Sequence, residues 1–400
     1  MEKDILIVSA TAGGGHKSAM YSLGESLRRF TPELRSGYFE SAVEDIEKAH
    51  RVIYSKFQYL YDRFYDLMEQ DWLRGTYFCF TQGMIAKLKA EMRALVSERA
   101  APLIVSTHFM QTYALLQLKA ELRSDIKIVA YIPDFDESLI HVPRYNGLLP
   151  DAVIAQSARY LAKLRCIYGY SETQTVPAGY LPRAAFCDVR PLSPETARLE
   201  LRKHDLPAIS QLDPHRFTVV ATGGAYWVEH LYKAFEHLAA HAEFDWEQSQ
   251  VLIVCGNNRR AFEKFSRLAK RTGKRLIALP FLNAAQMALV FRSASVSVLS
   301  GIAPATFYEL LETDAGPISI YRINPGPEKF NLSVVCELGL ATYRPARADL
   351  LSFLSFLSRT PSAAKAAKEE FCQKARRERH AAQTRAKAVA EFLEGLLVRA

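Results

Sequence analysis

A chain of 400 residues is longer than one ordinary hydrophobic core supports, so we expect two domains. A hydrophobic fraction of 49% and a charged fraction of 24% exclude a largely disordered protein. The formal net charge of +8 favours anionic partners, such as phosphorylated substrates or an anionic membrane surface, although a merely basic surface explains it equally well. No zinc-finger or RNA-recognition signature accompanies the charge, so no nucleic-acid partner is expected.

Three features of the sequence bear on its compartment. Six cysteines are scattered without a Cys-x-x-Cys pair, which argues against a zinc or disulfide framework and fits a reducing environment. The first residues run directly into a strand, without the pattern of a secretory signal. No uninterrupted apolar run is long enough to span a bilayer. We therefore expect a cytoplasmic protein.

The first half of the chain alternates short aliphatic runs with helical stretches, which is typical of a parallel, doubly wound sheet. Strands are predicted at residues 5–8, 103–105, 126–132 and 152–155. Helices are predicted at residues 17–30, 110–122 and 157–168. In the first of these helices, Met20, Leu23, Leu27 and Phe30 have the spacing of one helical face.

Residues 54–80 depart from this rhythm because they carry ten aromatic side chains interleaved with Lys56, Arg63 and Arg74. About half of these aromatics are expected to fill a helical core. The others are suited to a membrane interface or an apolar acceptor, where amphipathic rings lie beside basic residues.

The second half restarts the same rhythm after a proline-rich link at residues 179–194. Strands are predicted at residues 217–221, 251–255, 275–279, 296–299 and 318–321, with helices between them. Residues 363–397 are rich in Ala, Lys, Arg and Glu, which predicts one long terminal helix.

The loop that follows the first strand contains Gly13, Gly14, Gly15 and His16. Glycines let the backbone approach a ligand closely, and the helix that follows offers free N–H groups. The loop lies at the carboxyl end of a parallel sheet, where ligands bind in such folds. A lone histidine is usually structural, but His16 at the mouth of a crevice is suited to accept a proton from a hydroxyl.

The second half offers comparable loops at its strand ends. Gly223 and Gly224 suit a diphosphate contact or a simple tight turn, and Asn257 is either a ligand donor or a solvated residue at a helix start. Ser300 and Gly301 precede a helix that Pro304 opens, and the N–H groups of such a first turn bind phosphate.

Two further acidic positions follow these loops. Glu309, one to two turns into its helix, either accepts two ribose hydroxyls or faces solvent. Glu328 and Asn331 either bind sugar hydroxyls or belong to an ordinary Pro-Gly turn and helix start.

These motifs together resemble glycosyltransferase family 28, in particular the branch of monogalactosyldiacylglycerol synthases and processive diacylglycerol glucosyltransferases. The resemblance covers about residues 4–345. It rests on the Ser-Ala-Thr-Ala-Gly-Gly-Gly-His-Lys-Ser start, Ser-Thr-His-Phe at 106–109, and Pro-Asp-Phe at 133–135 with His141. Pro-Ala-Gly-Tyr-Leu-Pro at 177–182, Cys-Gly-Asn-Asn at 255–258 and Pro-Gly-Pro-Glu-Lys-Phe-Asn at 325–331 complete the set.

The resemblance implies an α/β GT-B fold, in which two Rossmann-like domains face each other across a cleft. An acceptor-binding domain would span residues 1–180 and a nucleotide-sugar-binding domain residues 181–362. A helical segment at 363–400 would pack back on the first domain. The resemblance implies no essential metal, and no cofactor is expected because the UDP-sugar is a substrate.

The resemblance also implies roles for particular residues. His16 would be the catalytic base, with Asp134 as a second candidate. The implied acceptor-binding residues are Gly13, Gly14, Gly15, His108 and His141. The implied donor-binding residues are Gly223, Gly224, Asn257, Ser300, Gly301, Ala305, Thr306, Glu309 for the ribose, and Glu328 with Asn331 for the sugar.

The sequence departs from the family pattern at several of these points. Pro133 stands where the family commonly has Thr, Val142 follows His141 in place of an aromatic residue, and Ser300-Gly301-Ile302-Ala303 replaces Lys-Pro-Gly-Gly. The implied function is inverting hexose transfer from a UDP-sugar to a lipid hydroxyl, with diacylglycerol the leading acceptor, at the cytoplasmic face of a membrane. A polyprenyl-linked or secondary-metabolite acceptor, and a non-catalytic nucleotide-sugar-binding scaffold, remain open.

Overall fold

The computed structural model describes residues 4–10, 14–41, 63, 67–98, 101–135, 137–224, 227–324, 326 and 328–398. The chain divides into two compact units. Unit 1 comprises Met1–Leu181, Pro325–Asn331 and Ala381–Ala400, and unit 2 comprises Pro182–Asn324 and Leu332–His380. The segments Pro325–Asn331 and Ala381–Ala400 thus join unit 1 from far along the chain.

Unit 1 is built on a parallel sheet. Its strands are β1 (Ile5–Ala10), β2 (Ser36–Ser41), β3 (Leu103–Ser106), β4 (Lys127–Ile132), β5 (Ala152–Ala155) and β6 (Thr175–Pro177). In the part of the chain that the structure describes, the strand order is β2-β1-β3-β4-β5-β6. Successive side chains of a strand point to opposite faces, so Ile5 and Ile7 belong to one core cluster and Leu6 and Val8 to another.

Helices cover both faces of this sheet. They are α1 (Gly14–Phe30), α2 (Asp71–Phe80), α3 (Gln82–Ser97), α4 (Phe109–Leu122) and α5 (Ala158–Tyr168). Leu23 of α1 packs with the Ile5 face, together with Leu393 near the end of the chain. Leu88 of α3 and Leu115 of α4 pack with the Leu6 face.

Unit 2 repeats the design with a second parallel sheet. Its strands are β7 (Phe217–Thr222), β8 (Ser249–Val254), β9 (Leu276–Leu279), β10 (Val296–Ser300), β11 (Ile318–Arg322) and β12 (Ala341–Tyr343). Their order, within the described residues, is β12-β11-β10-β7-β8-β9. Val219, Ile253 and Val298 of neighbouring strands share one core cluster with Phe235 and Phe265 of the covering helices.

The helices after residue 181 are α6 (Ala184–Asp188), α7 (Pro194–Leu201), α8 (Tyr232–Ala240), α9 (Arg259–Thr272), α10 (Ala284–Arg292), α11 (Pro304–Glu312), α12 (Glu328–Glu337), α13 (Arg347–Arg359) and α14 (Pro361–Val398). Two glycines let α14 pack closely. A Cβ on Gly316 would lie 2.3 Å from the ring of Phe371 in unit 2, and a Cβ on Gly179 would lie 2.1 Å from the backbone nitrogen of Ala386 in unit 1.

The α/β class predicted from the sequence is confirmed, and every predicted strand is present within a residue or two of its expected position. Three strands were not predicted: β2, β6 and β12. All three lie at an edge of their sheet. Edge strands have one side open to water and need no continuous apolar run, so short segments containing Gly37 or Pro177 give little sequence signal.

Candidate active site

His16 lies in the first turns of α1, at the carboxyl end of β1. Its Nδ1 atom is 2.6 Å from the carbonyl oxygen of Thr107, which directly follows β3. A carbonyl oxygen only accepts hydrogen bonds, so Nδ1 must carry the proton and donate it. In the neutral imidazole the lone pair is therefore on Nε2, and this nitrogen is the one that can accept a proton.

A second histidine packs against His16. The rings of His16 and His108 have their centroids 4.8 Å apart with an interplanar angle of 70°, an edge-to-face contact. His108 is buried and caps α4, because its Nδ1 accepts a hydrogen bond of 3.3 Å from the backbone N–H of Met110. Phe109 stacks on His108 at 4.6 Å and meets the ring of buried His141 at 6.1 Å.

The surroundings set the charge of His16. Burial lowers the pKa of His16 below its ordinary value of 6.5, and the charge of Asp134 together with the Thr107 bond opposes this lowering only in part. A charge on His141 lowers the pKa further. The imidazole is consequently neutral at pH 7, which is the form that acts as a base.

Asp134 follows β4 and is half-buried. Its Oδ1 accepts a hydrogen bond of 3.2 Å from Nδ2 of Asn331, a residue that is also part of unit 1. The structure thus brings His16, His108, Asp134 and His141 together at the carboxyl edge of one sheet. Among the residues that the structure describes, no group of three or more histidine, cysteine or acidic side chains could hold a metal ion.

Of the three glycines expected beside His16, two are among the residues that the structure describes. Gly14 and Gly15 begin α1, whereas Gly13 lies outside the described residues. A Cβ on Gly15 would meet nothing within 4 Å, so the space beside this residue is open.

The predicted glycine turns of unit 2 occupy the ends of its central strands. Gly223 and Gly224 follow β7, and Gly224 has φ of 61°. Gly301 follows β10 with φ of 95°, and its N–H donates to the carbonyl oxygen of Arg322 at 2.8 Å. Positive φ favours glycine, so both turns need these residues for their backbone shape. Asn257 follows β8 and is exposed.

Helix α11 begins at this same edge of the second sheet. Its N-cap is Ala303, and no side chain of the described residues caps it by a hydrogen bond. The first-turn N–H groups of Ala305 and Thr306 therefore point out of the helix, where the helix dipole favours an anion. Ser300 is buried beside this turn, and its hydroxyl is 3.3 Å from Nδ1 of His230.

Glu309 is 6% exposed, so it does not face solvent. Its Oε1 accepts two hydrogen bonds from the guanidinium of Arg183, at 3.1 Å from Nε and 2.7 Å from Nη2. Burial nevertheless raises the pKa of Glu309 from 4.5 to about 7, and the charge of Arg183 offsets only part of that rise. A carboxylate this poorly hydrated gains more than an exposed one from additional hydroxyl donors.

The last predicted pair lies on α12. Glu328 is the first residue of the helix and is half-buried, and Asn331 is fully buried one turn later. Both belong to unit 1, whereas Ser300 and Glu309 belong to unit 2.

Sequence reasoning did not find Arg183 or His230. Arg183 directly follows Pro182 in the link and carries no motif of its own, although an arginine opposite a buried glutamate is the usual way to offset its charge. His230 lies in a short helical turn after β7, and burial and the charge of Arg322 lower its pKa. Its proximity to Ser300 depends on the pairing of β7 with β10, which no local pattern shows.

The aromatic segment at residues 54–80 is described only at residue 63 and from 67 onward. In α2, Trp72 is 69% exposed and Phe80 is 87% exposed, whereas Phe78 is buried. Trp72, Thr76 and Phe80 recur every fourth residue and so share one uncharged helix face. No helix in the described part of the chain combines the length and apolar composition that a membrane span requires.

No family model matches the sequence, and a search of curated proteins finds no match. Solved structures do match over nearly the whole chain. The UDP-GlcNAc 2-epimerase of Neisseria meningitidis bound to UDP-GlcNAc is 10% identical, with a TM-score of 0.61 over 98% of this chain and 100% of that one. The α,α-trehalose 6-phosphate synthase of Burkholderia multivorans is 15% identical, with a TM-score of 0.60 over 100% and 98%.

A third match is Anabaena HepE in complex with UDP-glucose, which is 12% identical with a TM-score of 0.56 over 100% of both chains. These likenesses confirm the predicted GT-B fold class, with two Rossmann-like parallel sheets. They do not single out the diacylglycerol branch, because the same fold carries an epimerase and a synthase.

Proposed function

We propose that this protein is a UDP-hexose-dependent glycosyltransferase that transfers the sugar to a hydroxyl of a lipid, with diacylglycerol the leading acceptor. The observation that carries the proposal is the hydrogen bond from His16 Nδ1 to the Thr107 carbonyl oxygen, which leaves Nε2 of a neutral imidazole as a base. A histidine base that removes a hydroxyl proton is the group that sugar transfer to an alcohol needs.

In the proposed step the acceptor oxygen attacks the anomeric carbon of the donor. The bond from that carbon to the diphosphate oxygen breaks, UDP leaves with the bonding electron pair, and the configuration inverts. His16 Nε2 takes the hydroxyl proton and becomes a cation. The negative charge of Asp134, which already favours the protonated form of His16, stabilises that cation.

Unit 2 carries the groups proposed for the nucleotide. The Glu309 carboxylate would accept the ribose hydroxyls, and both of its Arg183 bonds use Oε1. The turns at Gly224 and Gly301 and the first turn of α11 would offer backbone N–H groups to the diphosphate. We propose that these groups offset the leaving-group charge without a metal.

The lipid assignment is supported by α2. Its exposed residues include Trp72 and Phe80, which lie on one side of the helix as the apolar side chains of an interfacial helix do. The net charge of +8 suits an anionic membrane surface. We therefore propose that the protein works on the cytoplasmic face of a membrane, where diacylglycerol is accessible.

The direct test is an assay with UDP-glucose or UDP-galactose and diacylglycerol in anionic vesicles, with glycolipid and UDP measured together. Glycolipid formed in equal amount to UDP is expected. A folded, UDP-binding protein that makes no glycolipid with either donor would sink the lipid proposal, and turnover with a polyprenyl-linked or secondary-metabolite alcohol would then identify another acceptor. Binding without turnover on any acceptor would favour a scaffold.

The membrane contact has its own test. Replacing Trp72 and Phe80 by serine is expected to reduce flotation with anionic vesicles at least severalfold, because two exposed aromatic side chains leave the interface. Phe281→Ser is the matched control, since Phe281 is also exposed, at 62%, but lies in unit 2. Equal losses in both variants would argue against α2 as the membrane contact.

A second candidate is epimerisation of a UDP-sugar, favoured by the full-length likeness to the UDP-GlcNAc 2-epimerase. Incubation with UDP-GlcNAc without any acceptor separates the two reactions. A second UDP-sugar in the proton NMR spectrum would establish epimerisation, whereas UDP release that requires an added alcohol is expected for the transferase.

A further inference from the structure

Asn331 is fully buried and uses both ends of its side-chain amide on one loop. Its Oδ1 accepts a hydrogen bond of 3.0 Å from the backbone N–H of Phe135, and its Nδ2 donates to Oδ1 of Asp134 at 3.2 Å. The two partners are neighbours in sequence and lie 196 and 197 positions before Asn331. The amide therefore clamps the loop that follows β4.

The chemistry of the two partners fixes the orientation of this amide. Rotating it by 180° would place an N–H group against the N–H of Phe135 and a carbonyl oxygen against the carboxylate of Asp134. Donor would then face donor and acceptor would face acceptor. A buried amide with such mismatched partners leaves polar groups without hydrogen bonds, so one orientation is strongly preferred.

The carboxylate held in this way acts on His16. Among the residues that the structure describes, the groups that act on or contact the His16 imidazole are the charge of Asp134, the side chain of His141, the ring of His108 and the carbonyl of Thr107. Of these, Asp134 supplies the one negative charge, and its effect depends on where its carboxylate is held. From outside the loop, Asn331 contacts this carboxylate through the 3.2 Å hydrogen bond that its Nδ2 donates.

We infer that Asn331 is a positioning residue that orients the Asp134 carboxylate toward His16, in place of the sugar-binding role expected for it. The inference rests on the proposed function for its catalytic consequence. The clamp itself rests on geometry alone, since both hydrogen bonds lie within unit 1.

The experiment follows the His16 imidazole by NMR titration of the full-length protein and, in parallel, the rate of sugar transfer. In Asn331→Leu the amide is lost and the carboxylate is released, so the pKa of His16 is expected to fall. In the nearly isosteric Asn331→Asp, an oxygen can still accept from Phe135, but a second carboxylate faces Asp134, so the pKa of His16 is expected to rise.

Opposite shifts in two variants of one residue are not what general loosening of the fold produces. In an Asp134→Asn background the effect of Asn331→Leu should vanish, because the charge through which Asn331 acts has been removed. We expect kcat to fall roughly 10- to 100-fold in Asn331→Leu with KM for the UDP-sugar changed less than about twofold. Ser333→Ala, which removes an exposed hydroxyl on the same helix, is the matched control.

Equal shifts in the same direction for both Asn331 variants, or an Asn331→Leu effect that persists with Asn at 134, would overturn the inference. A large rise in KM for the UDP-sugar with unchanged kcat would also overturn it and restore a sugar-binding role. If the wild-type protein transfers no sugar, the proposed function fails, but the NMR titrations still decide whether Asn331 positions Asp134.

Discussion

Replacing Glu309 by glutamine is expected to stabilise the protein at alkaline pH while weakening nucleotide binding. The Glu309 side chain is 8% exposed, and its pKa is raised from 4.5 to about 7 because burial penalises the charged form more than Arg183 favours it. Glutamine has nearly the same shape and keeps an oxygen that can accept from Arg183. It carries no charge that burial could penalise.

The magnitude follows from proton linkage. The folded state binds a proton at Glu309 more tightly than the unfolded chain does, so stability falls as pH rises from about 4.5 to about 7 and levels off above that range. A rise of between two and three pKa units corresponds to about 3 kcal/mol. The free energy of unfolding of the variant, relative to wild type, should therefore increase by about 3 kcal/mol between pH 4.5 and pH 8.

Urea unfolding at a series of pH values measures this difference. Glu263→Gln is the matched control, because Glu263 also pairs with an arginine, Arg259, but at the surface. A Glu309→Gln difference that is the same at pH 4.5 and pH 8 would refute the burial argument.

The same variant tests the nucleotide site. Each hydrogen bond from a ribose hydroxyl to a charged carboxylate contributes about 1.5–3 kcal/mol. UDP affinity should therefore fall at least 10-fold in Glu309→Gln at pH 8. Calorimetric titration with UDP measures this change. Unchanged UDP affinity would remove Glu309 from the nucleotide site and leave it as a structural partner of Arg183.

Three further outcomes are expected. His16→Ala should lower kcat roughly 100- to 10,000-fold with UDP affinity nearly unchanged, whereas His237→Ala, which removes an exposed histidine bonded to a backbone carbonyl, should leave both unchanged. The acid limb of the kcat profile should lie below pH 6.5, because the pKa of His16 is lowered from that ordinary value. The acid limb of kcat/KM for the donor should lie near pH 7, because Glu309 takes up a proton and loses its charge there. Acid limbs at the same pH would contradict the assignment. Gly179→Ala should destabilise the fold by about 1–3 kcal/mol in thermal unfolding, since its Cβ would lie 2.1 Å from a backbone nitrogen of α14. Gly395 is itself part of α14, and a Cβ there would have no atom within 4 Å, so Gly395→Ala should be neutral or stabilising.

The fold was largely predictable because its central strands are buried on both faces. Such strands read as continuous aliphatic runs, as in residues 5–8 and 251–255. The missed strands are at sheet edges, where a strand pairs on one side only and does not need a continuous run of apolar side chains. No local sequence pattern predicts that Pro325–Asn331 belongs to unit 1, because this depends on contacts of Asn331 with Asp134 and Phe135, which are far away in the sequence.

The candidate site was predictable where one strand-to-helix turn defines it. His16 follows a glycine turn at the end of β1, and that local pattern sufficed to select it. Glu309 was ambiguous, since the same helical position suits a solvent-facing or a buried carboxylate, and only the packing of α11 shows that it is buried. Arg183 could not be selected, because its importance comes from Glu309, which lies 126 positions later.

The fold by itself leaves the reaction open, since proteins named as an epimerase and as a synthase share it with this chain. What favours transfer to a hydroxyl is the state of one imidazole, and a backbone carbonyl sets that state. If His16 Nδ1 faced a hydroxyl, which both donates and accepts, the position of its proton would stay undetermined. Facing the carbonyl of Thr107, 91 positions away, it must donate, and Nε2 is left as the basic nitrogen. The chemistry thus depends on where the main chain of β3 ends beside α1, which is a property of the assembled sheet and of no single motif.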